Sequence, residues 1–146
     1  MPDAQPVPEV IRIRFPSRLE LLSLLDKVTT HLCERARFAE DACTQVTLSV
    51  IEAGTNAIQH GHRRDATKDV DVVFALHPDR LEVTVHDGGP GFDLEAVAGD
   101  VTSPERLFDA RGRGIFIMRA CMDSVDFEFG ESGTTCHLVK RRASHG

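Results

Sequence analysis

Glu52, Asn56 and His60 recur at every fourth position of an otherwise apolar segment, LSVIEAGTNAIQH. This spacing places the three side chains on one face of a helix. A polar group beside a core costs about 1–3 kcal/mol unless it has a partner, and a charge costs more. The Asn56 carbonyl oxygen could coordinate a hard cation, with Glu52 taking a proton from water or a hydroxyl. By itself, however, the stripe is more typical of a solvent-facing helix, and His60 could cap the helix end, contact solvent or line a site.

A first glycine cluster, Asp87-Gly88-Gly89-Pro90-Gly91-Phe92, follows directly after an alternating strand. Asp-Gly is by itself a common turn signal. The functional alternative is that Asp87 accepts a hydrogen bond from an exocyclic amine. Gly89 and Gly91 would then let the backbone approach a flat ligand that side chains would exclude.

A second cluster, Gly112-Arg113-Gly114-Ile115, opens a predicted helix that runs through Met122. Helix N-termini present unpaired amides and the positive end of the dipole, so this segment could bind an anion. A flexible joint between a loop and a helix is an equally good interpretation. The sequence contains neither a G-x-x-x-x-G-K-[ST] nor a G-x-G-x-x-G motif, which argues against P-loop NTPases and Rossmann enzymes.

The elements that must position these residues follow in the order β-α-α-β-β-loop-α-β-β. Ser17 and Glu20 form an S-x-x-E pattern that predicts a capping box before the first helix. A second helix is predicted from about Ala39 to His60, ended by Gly61. Period-two alternation predicts a hairpin from Asp69 onward and two final strands. Helices grouped before paired strands predict an α+β fold, a two-layer sandwich with helices on one face of a mostly antiparallel mixed sheet. The other face would meet solvent through Asp69, Asp71, Glu82, Asp126 and Glu128.

The chain has the length of one domain. We expect a flexible lead-in over residues 1–8, one domain over 9–141 and a tail over 142–146. Residues 93–111 combine scattered Gly, Pro and Asp with weak periodicity, so we predict a lid there.

Acidic residues outnumber basic ones by 23 to 17, and the formal charge is -6. This balance argues against a general nucleic-acid or anionic-membrane binder. The four cysteines form no C-x-x-C pair and favour buried free thiols over a disulfide or zinc framework. No secretion signal or membrane span is evident, so we expect a reducing cytoplasm.

Four segments together resemble, in type and order, the motif boxes of the GHKL ATP-binding superfamily, which includes gyrase, MutL and the catalytic domains of sensor histidine kinases. They are E-x-x-x-N at 52–56, D-x-G-x-G at 87–91, G-x-G at 112–114 and G-T-T at 133–135. Within the superfamily, SVIEAGTNAIQHG and GRGIFIMRACMDSV look most like the anti-sigma factor serine/threonine kinases. The similarity runs from about Glu9 to Arg141.

The resemblance implies a Bergerat-type, histidine-kinase-like ATPase fold that binds ATP and Mg²⁺, and it assigns a role to each box. By matching position, Glu52 would be the general base, Asn56 the magnesium ligand and Asp87 the adenine contact. Gly89 and Gly91 would shape the base pocket, and either Thr134 or Thr135 would complete the adenine contacts. Phosphates would meet Gly112, Arg113, Gly114 and Ile115. Arg111 and Arg113 flank a position where many relatives carry small or apolar residues, so they could add phosphate contacts or be solvated lid charges.

The implied function is an ATP-dependent protein serine/threonine kinase that acts as an anti-sigma factor in a partner-switching system. It would phosphorylate an anti-sigma factor antagonist, bind a sigma factor and form a homodimer, with no direct nucleic-acid or membrane partner. The leucine stripe of the first helix could serve a homodimer, a sigma factor or only the core, and core packing is the default. One alternative is an ATP-binding interaction module that gates partner binding without phosphoryl transfer. A histidine kinase catalytic domain is less favoured, because no upstream hairpin with a phosphoacceptor histidine is evident.

Overall fold

Alternating apolar residues form the strands of one sheet, and apolar residues at helical spacing form the layer that covers it. The computed structural model describes residues 7–98 and 110–142. The elements within these ranges are β1 (Glu9–Pro16), a short 3-10 turn (Leu19–Leu21), α1 (Leu22–Arg35), α2 (Glu40–Asn56), a π-helical turn (Ala57–Gly61), β2 (Asp69–Leu76), β3 (Arg80–Asp87), α3 (Leu94–Ala98), α4 (Ala110–Cys121), β4 (Ser124–Gly130) and β5 (Gly133–Arg141).

The five strands lie in the order β1-β2-β3-β5-β4. We predicted a mixed sheet, but every neighbouring pair among the described strands is antiparallel, since β2–β3 and β4–β5 are hairpins and β5 returns antiparallel beside β3. One face holds fully buried residues such as Val72, Val83 and Leu138. The acidic residues predicted for the opposite face are exposed or half-buried there, as expected: Asp69, Asp71, Glu82, Asp126 and Glu128.

Helix α2 is the centre of the helical layer, with α1 and α4 packed against it. Its Val46 and Val50 are fully buried, as are Leu25 of α1 and Met118 of α4. Burial of each such side chain contributes about 1.5–3 kcal/mol. The leucine stripe predicted for the first helix also packs on the core, which agrees with the default interpretation. Leu25 and Leu32 of α1 are buried, and Val28 of α1 and Leu21 of the 3-10 turn are partly buried against the core.

The start of the helical layer differs from the prediction. No side-chain cap hydrogen bond forms at the N-cap of the 3-10 turn or of α1, so the capping box predicted for Ser17 and Glu20 is wrong. Ser17 is instead 1% exposed, and its Oγ lies 2.6 Å from Nδ1 of His62. The hydroxyl is engaged in a tertiary hydrogen bond, which a local sequence pattern does not reveal.

The end of α2 also differs. The helical segment ends at Gly61, as predicted, but its last turn, Ala57–Gly61, is π-helical, and the His62 amide donates to the Ala57 carbonyl at 2.8 Å. The left-handed residues that follow are Arg63 and Arg64, with φ of 51° and 61°.

All four cysteines are free, and three of them are buried as predicted: Cys33, Cys43 and Cys136. Cys121 is only partly buried. Among the described helices, none is long and apolar enough to cross a membrane. Of the predicted lid, positions 99–109 lie outside the described residues, and the lid assignment stays a prediction.

Candidate functional site

A cavity lies between the C-terminal end of α2 and the inner face of the sheet. It is lined by residues of α2, the π turn, β3, the glycine loop after β3, α4, β4 and β5: Ala53, Asn56, Ala57, Gly61, Val85, Asp87, Gly91, Phe92, Arg111, Phe127, Thr134 and Cys136. Three of the four motif segments contribute at least one residue to this lining. The fourth segment, G-x-G at 112–114, follows directly after the lining residue Arg111. Segments far apart in sequence therefore meet at one site.

Asp87 ends β3 and lies directly opposite Thr134 of β5 in the strand register. It is 7% exposed, and its Oδ1 accepts a hydrogen bond from the Gly89 amide at 2.8 Å. Burial raises the pKa of Asp87 above its usual value, while the Gly89 amide and the nearby His62, His86 and Arg111 oppose this rise. The result is a desolvated carboxylate beside the cavity, suited to accept a hydrogen bond from a ligand amine.

Two polar atoms in the cavity wall have no hydrogen-bond partner among the described residues. They are Nδ2 of Asn56 and Oγ1 of Thr134, and both atoms are buried. A buried polar atom left unsatisfied costs about 1–3 kcal/mol, and native structures contain few of them. A polar ligand in the cavity would satisfy both, so the donor set fits a nucleotide base at Thr134 and a hydrated or phosphate-bound group at Asn56.

Glycines bring the backbone close to Asp87. A Cβ on Gly61 would overlap the Asp87 carboxylate, and one on Gly89 would overlap the Gly61 carbonyl oxygen. Gly91 has φ of +80°, in the left-handed region that favours glycine. Gly61 thus belongs to the site, although we had interpreted it only as the helix stop. Its position directly after the E-x-x-x-N helix was the signal available in the sequence.

Glu52 and Asn56 both face Gly114 of α4. A Cβ on Gly114 would lie 2.7 Å from Glu52 Oε2 and 3.6 Å from Asn56 Nδ2. Burial raises the pKa of the half-buried Glu52, and the positive charge of Arg113 partly offsets this. The shared face predicted for Glu52 and Asn56 is therefore present, but it meets a second helix rather than open solvent.

The glycine pair does not open its helix. Helix α4 already includes Ala110, so Gly114 and Ile115 lie where α-helical amides point to carbonyls four residues earlier. Ile115 is also fully buried in the core. The prediction that Gly114 and Ile115 offer unpaired amides to an anion is wrong for this reason. Gly112 and the exposed Arg113 remain in the first turn of the described helix.

The two threonines of the G-T-T segment lie on opposite faces of β5. Thr134 is 5% exposed and lines the cavity. Thr135 lies on the outer face, where its Oγ1 is 2.8 Å from His86 Nδ1. Thr135 is therefore not placed to touch a ligand in the cavity, and Thr134 is the threonine that adjoins Asp87.

An aromatic cluster at the cavity was not predicted. Phe92 meets Phe127 and Phe129 edge to face, with centroid distances of 5.4 and 5.2 Å. The Arg111 guanidinium carbon lies 4.2 Å from the Phe92 ring centroid, a cation–π contact. Phe127 and Phe129 are two positions apart in β4, so the sequence indicated that both rings lie on the same face of the sheet. Arg111 is consequently a cavity residue rather than a solvated lid charge.

The profile of the histidine kinase-like ATPase domain matches residues 15–140. Curated relatives include the serine-protein kinase RsbW of Bacillus licheniformis, 29% identical over 90% of this chain and 85% of that protein. The serine-protein kinase RsbW of Bacillus cereus strain AH187 is 28% identical over 90% of this chain and 84% of that protein.

Solved structures agree in fold. The RsbU and RsbW domains of Rv1364c from Mycobacterium tuberculosis align with a TM-score of 0.69 at 15% identity, over 93% of this chain and 33% of that one. This chain thus spans about a third of that longer chain. The histidine kinase domain of Erythrobacter litoralis EL346 aligns with a TM-score of 0.55 at 19% identity, over 86% of this chain and 60% of that one. These matches confirm the GHKL resemblance and the Bergerat-type fold inferred from the four motifs, and the chain belongs to the histidine kinase-like ATPase domain family.

Proposed function

We propose that this chain is an ATP-dependent protein serine/threonine kinase that acts as an anti-sigma factor and phosphorylates an anti-sigma factor antagonist. The observation that carries the proposal is the meeting of Asn56, Asp87 and Thr134 at one cavity, with Glu52 one helical turn from Asn56. Two of these residues present buried polar atoms without partners among the described residues. The serine-protein kinase names of the relatives support the same reaction class.

The adenine end of the site is formed by β3, β5 and the glycine loop. Asp87 is the group to accept a hydrogen bond from the exocyclic amine, and the adjacent Thr134 Oγ1 is a hydroxyl without a partner in the described part of the chain. The buried carboxylate would select adenine. A base with a carbonyl oxygen at this position would place one hydrogen-bond acceptor against another. Gly61 and Gly89 allow the backbone to pack against the Asp87 carboxylate, and Gly91 allows the left-handed turn that follows, so the glycines fix the position of the group that would meet the base.

The phosphate end is formed by α2 and α4. Asn56 would hold Mg²⁺ through its carbonyl oxygen, with Gly112, Arg111 and Arg113 nearest to the phosphates. When bound, Mg-ATP supplies the phosphoryl group and neutralises its charge. Residues 93–111 would then act as the lid over this end.

Glu52 is the candidate base. In the transfer, the substrate hydroxyl oxygen forms a bond to the γ-phosphorus as the bond to the β,γ-bridging oxygen breaks, and Glu52 takes the hydroxyl proton. Positioning and charge neutralisation supply most of the rate enhancement in such reactions. The raised pKa of Glu52 makes its carboxylate a better proton acceptor than an ordinary glutamate.

The proposed partners are the antagonist as substrate, a sigma factor and a second copy of this chain, in the cytoplasm. Exposed apolar side chains on the outer helical surface, Leu24 at 50% and Leu48 at 42%, are available for such contacts. The net charge of -6 is consistent with protein rather than nucleic-acid partners.

The proposal is tested by capture on immobilised wild-type protein from an extract of the source cells, with and without Mg-ATP, followed by phosphosite mapping of the captured proteins. We expect a phosphoserine or phosphothreonine on one captured protein, absent with Glu52→Gln and present with Glu131→Gln. Glu131 is an exposed residue of the β4–β5 turn and serves as the matched control.

Two other outcomes would redirect the assignment. ATP-dependent capture without any phosphorylation would support the interaction module that gates binding without transfer. Absence of ATP binding by the wild type would remove both interpretations.

A further inference from the structure

His62 is a buried imidazole that joins two distant segments of the chain. It is 3% exposed and follows the π turn at the end of α2. Its Nδ1 lies 2.6 Å from Ser17 Oγ, and its Nε2 lies 2.8 Å from the Gly88 amide nitrogen. The ring therefore bridges the segment after β1 and the glycine loop after β3.

These two contacts fix the form of the imidazole. A backbone amide can only donate, so Nε2 must accept the Gly88 hydrogen through its lone pair. The ring proton is then on Nδ1 and is donated to the Ser17 hydroxyl oxygen. A second proton on the ring would occupy Nε2 and leave the Gly88 amide without an acceptor.

The amide that His62 holds belongs to the loop that carries Asp87. His62 accepts from Gly88, and Asp87 Oδ1 accepts from Gly89, so successive amides of one loop are fixed by two side chains. The residue before His62, Gly61, lies against the Asp87 carboxylate so closely that a Cβ there would overlap it. The end of the π turn thus brings Gly61 and His62 into contact with the same short loop.

We propose that neutral, Nδ1-protonated His62 is a positioning residue that sets where the Asp87 carboxylate meets the base of a bound adenine nucleotide. This inference rests on the nucleotide site proposed above. Without the Nε2 acceptor, the part-buried Gly88 amide would lose the side chain that fixes its direction, and the loop would be free to turn this donor toward water. Such a movement would displace Asp87, its direct neighbour.

The charges around His62 come from several elements. Asp87 and Asp65 favour a positive ring, whereas Lys68 and His86 oppose it. Burial is the largest influence and lowers the pKa of His62 below its usual value. His62 should therefore be neutral and hold the loop at neutral pH, and nucleotide affinity should fall when acidification protonates the ring.

The test combines a measurement on the unliganded protein with a binding measurement. Nitrogen-15 NMR of the wild type is expected to show a protonated Nδ1 and an unprotonated Nε2 on His62 at pH 7.5. Titration calorimetry with the non-hydrolysable ATP analogue AMPPNP then compares three variants. His62→Phe keeps a ring without an acceptor, His62→Gln keeps an acceptor near the Nε2 position, and His31→Gln changes an exposed histidine of α1.

We expect His62→Phe to raise the Kd for AMPPNP roughly tenfold, equivalent to the loss of about one hydrogen bond. His62→Gln should recover most of the affinity, and His31→Gln should match the wild type. Acidification from pH 7.5 to 5.5 should weaken binding more in the wild type than in His62→Phe. A merely structural role would lower the melting temperature without these changes in Kd and pH profile.

Three results would overturn the proposal: an unchanged Kd in a cooperatively melting His62→Phe, a proton on Nε2 in the wild type, or no rescue by glutamine. If His62→Phe does not fold, Ser17→Ala takes its place. That variant removes the partner of Nδ1 but keeps the Nε2 acceptor. It is expected to raise the Kd roughly threefold, a smaller loss of binding free energy than that of a whole hydrogen bond. An unchanged Kd there would also overturn the proposal. Absence of AMPPNP binding by the wild type would instead overturn the proposed function, so the two failures are distinguishable.

Discussion

Gly114 of α4 lies directly over the carboxylate of Glu52 on α2, where a Cβ would come within 2.7 Å of Oε2. An alanine inside a helix is normally more stable than glycine by about 1 kcal/mol. The atom in the way is the end of a flexible side chain, so a methyl group at position 114 would displace the Glu52 carboxylate rather than force the helices apart. The contact makes the position of the candidate base depend on the absence of a side chain on the facing helix.

We predict that Gly114→Ala displaces the Glu52 carboxylate and slows phosphoryl transfer, while the free energy of unfolding changes by less than about 1 kcal/mol, because the helix preference of alanine offsets the cost of moving a flexible side chain. Urea denaturation and a transfer assay check the two effects. Gly54→Ala is the matched control, since its Cβ would meet the flexible ends of Leu22 and Leu25 at 3.0 Å rather than Glu52. In a Glu52→Ala background no carboxylate has to move, so Gly114→Ala should stabilise the fold by more than it does in the wild type. An equal change in the free energy of unfolding in both backgrounds would show that Glu52 is not the obstacle.

Glu52→Gln should keep ATP binding and reduce the transfer rate by roughly 10²–10⁴-fold, the usual contribution of a general base. Because burial raises the pKa of Glu52, the wild-type rate should fall on acidification at a pH above the usual range for a glutamate. The checks are single-turnover rates from pH 5 to 8 and AMPPNP titration. Equal rates for wild type and variant would remove Glu52 from the mechanism.

Much of the site could be predicted from sequence because its chemistry is local. The spacing of Glu52 and Asn56, and of Asp87 and its glycines, lies within single elements whose period the sequence displays. Their order along the chain predicted the family, and the family predicted the fold. Gly61 was predicted only as the end of the helix, and its place in the site was missed because its contact with Asp87 joins two elements that are distant in sequence.

The remaining features depend on tertiary register. Which of Thr134 and Thr135 faces the cavity is decided by the pairing of Asp87 with Thr134, and a shift by one residue would exchange them. The Ser17 hydroxyl matched a helix cap by pattern, yet it bonds to His62, 45 residues away. Long-range hydrogen bonds of this kind have no local signature.

Asp87→Asn should weaken nucleotide binding while leaving the fold intact or more stable at pH 7. The asparagine carbonyl oxygen can still accept a hydrogen bond from Gly89, but its amide NH₂ is a donor where the base needs an acceptor. We therefore expect AMPPNP binding to weaken roughly 10–100-fold. The folded-state pKa of Asp87 is raised, so the wild type loses stability as pH rises from the ordinary aspartate value through the raised one. The variant lacks this loss. A lower melting temperature at pH 7 with unchanged AMPPNP affinity would contradict both parts.

Thr134→Val and Thr135→Val form a matched pair on adjacent positions of β5. Thr134→Val removes a buried hydroxyl without a partner among the described residues, so it should stabilise the unliganded protein by about 1 kcal/mol and weaken AMPPNP binding about two- to tenfold. Thr135→Val loses only the contact with His86 on the outer face and should leave affinity unchanged. Calorimetric melting and titration of both variants check this. If Thr135→Val weakened AMPPNP binding and Thr134→Val did not, β5 would present its other face to the ligand.

The buried imidazole also predicts how the unliganded protein responds to acid. His62 has an ordinary pKa of about 6.5 when the chain is unfolded, and burial lowers it in the fold. Between the two values the unfolded chain binds more protons, so stability rises with pH there. The contribution of His62 to stability is complete above about pH 6.5 and is lost as the pH falls through the folded-state pKa.

His62→Gln carries no titrating group, so its free energy of unfolding relative to that of the wild type should improve steadily from pH 7.5 to 5.5. Urea denaturation of both proteins across this range measures the difference, with His31→Gln as the control that should follow the wild type. A constant difference between His62→Gln and wild type at every pH would mean that His62 is not desolvated in the fold.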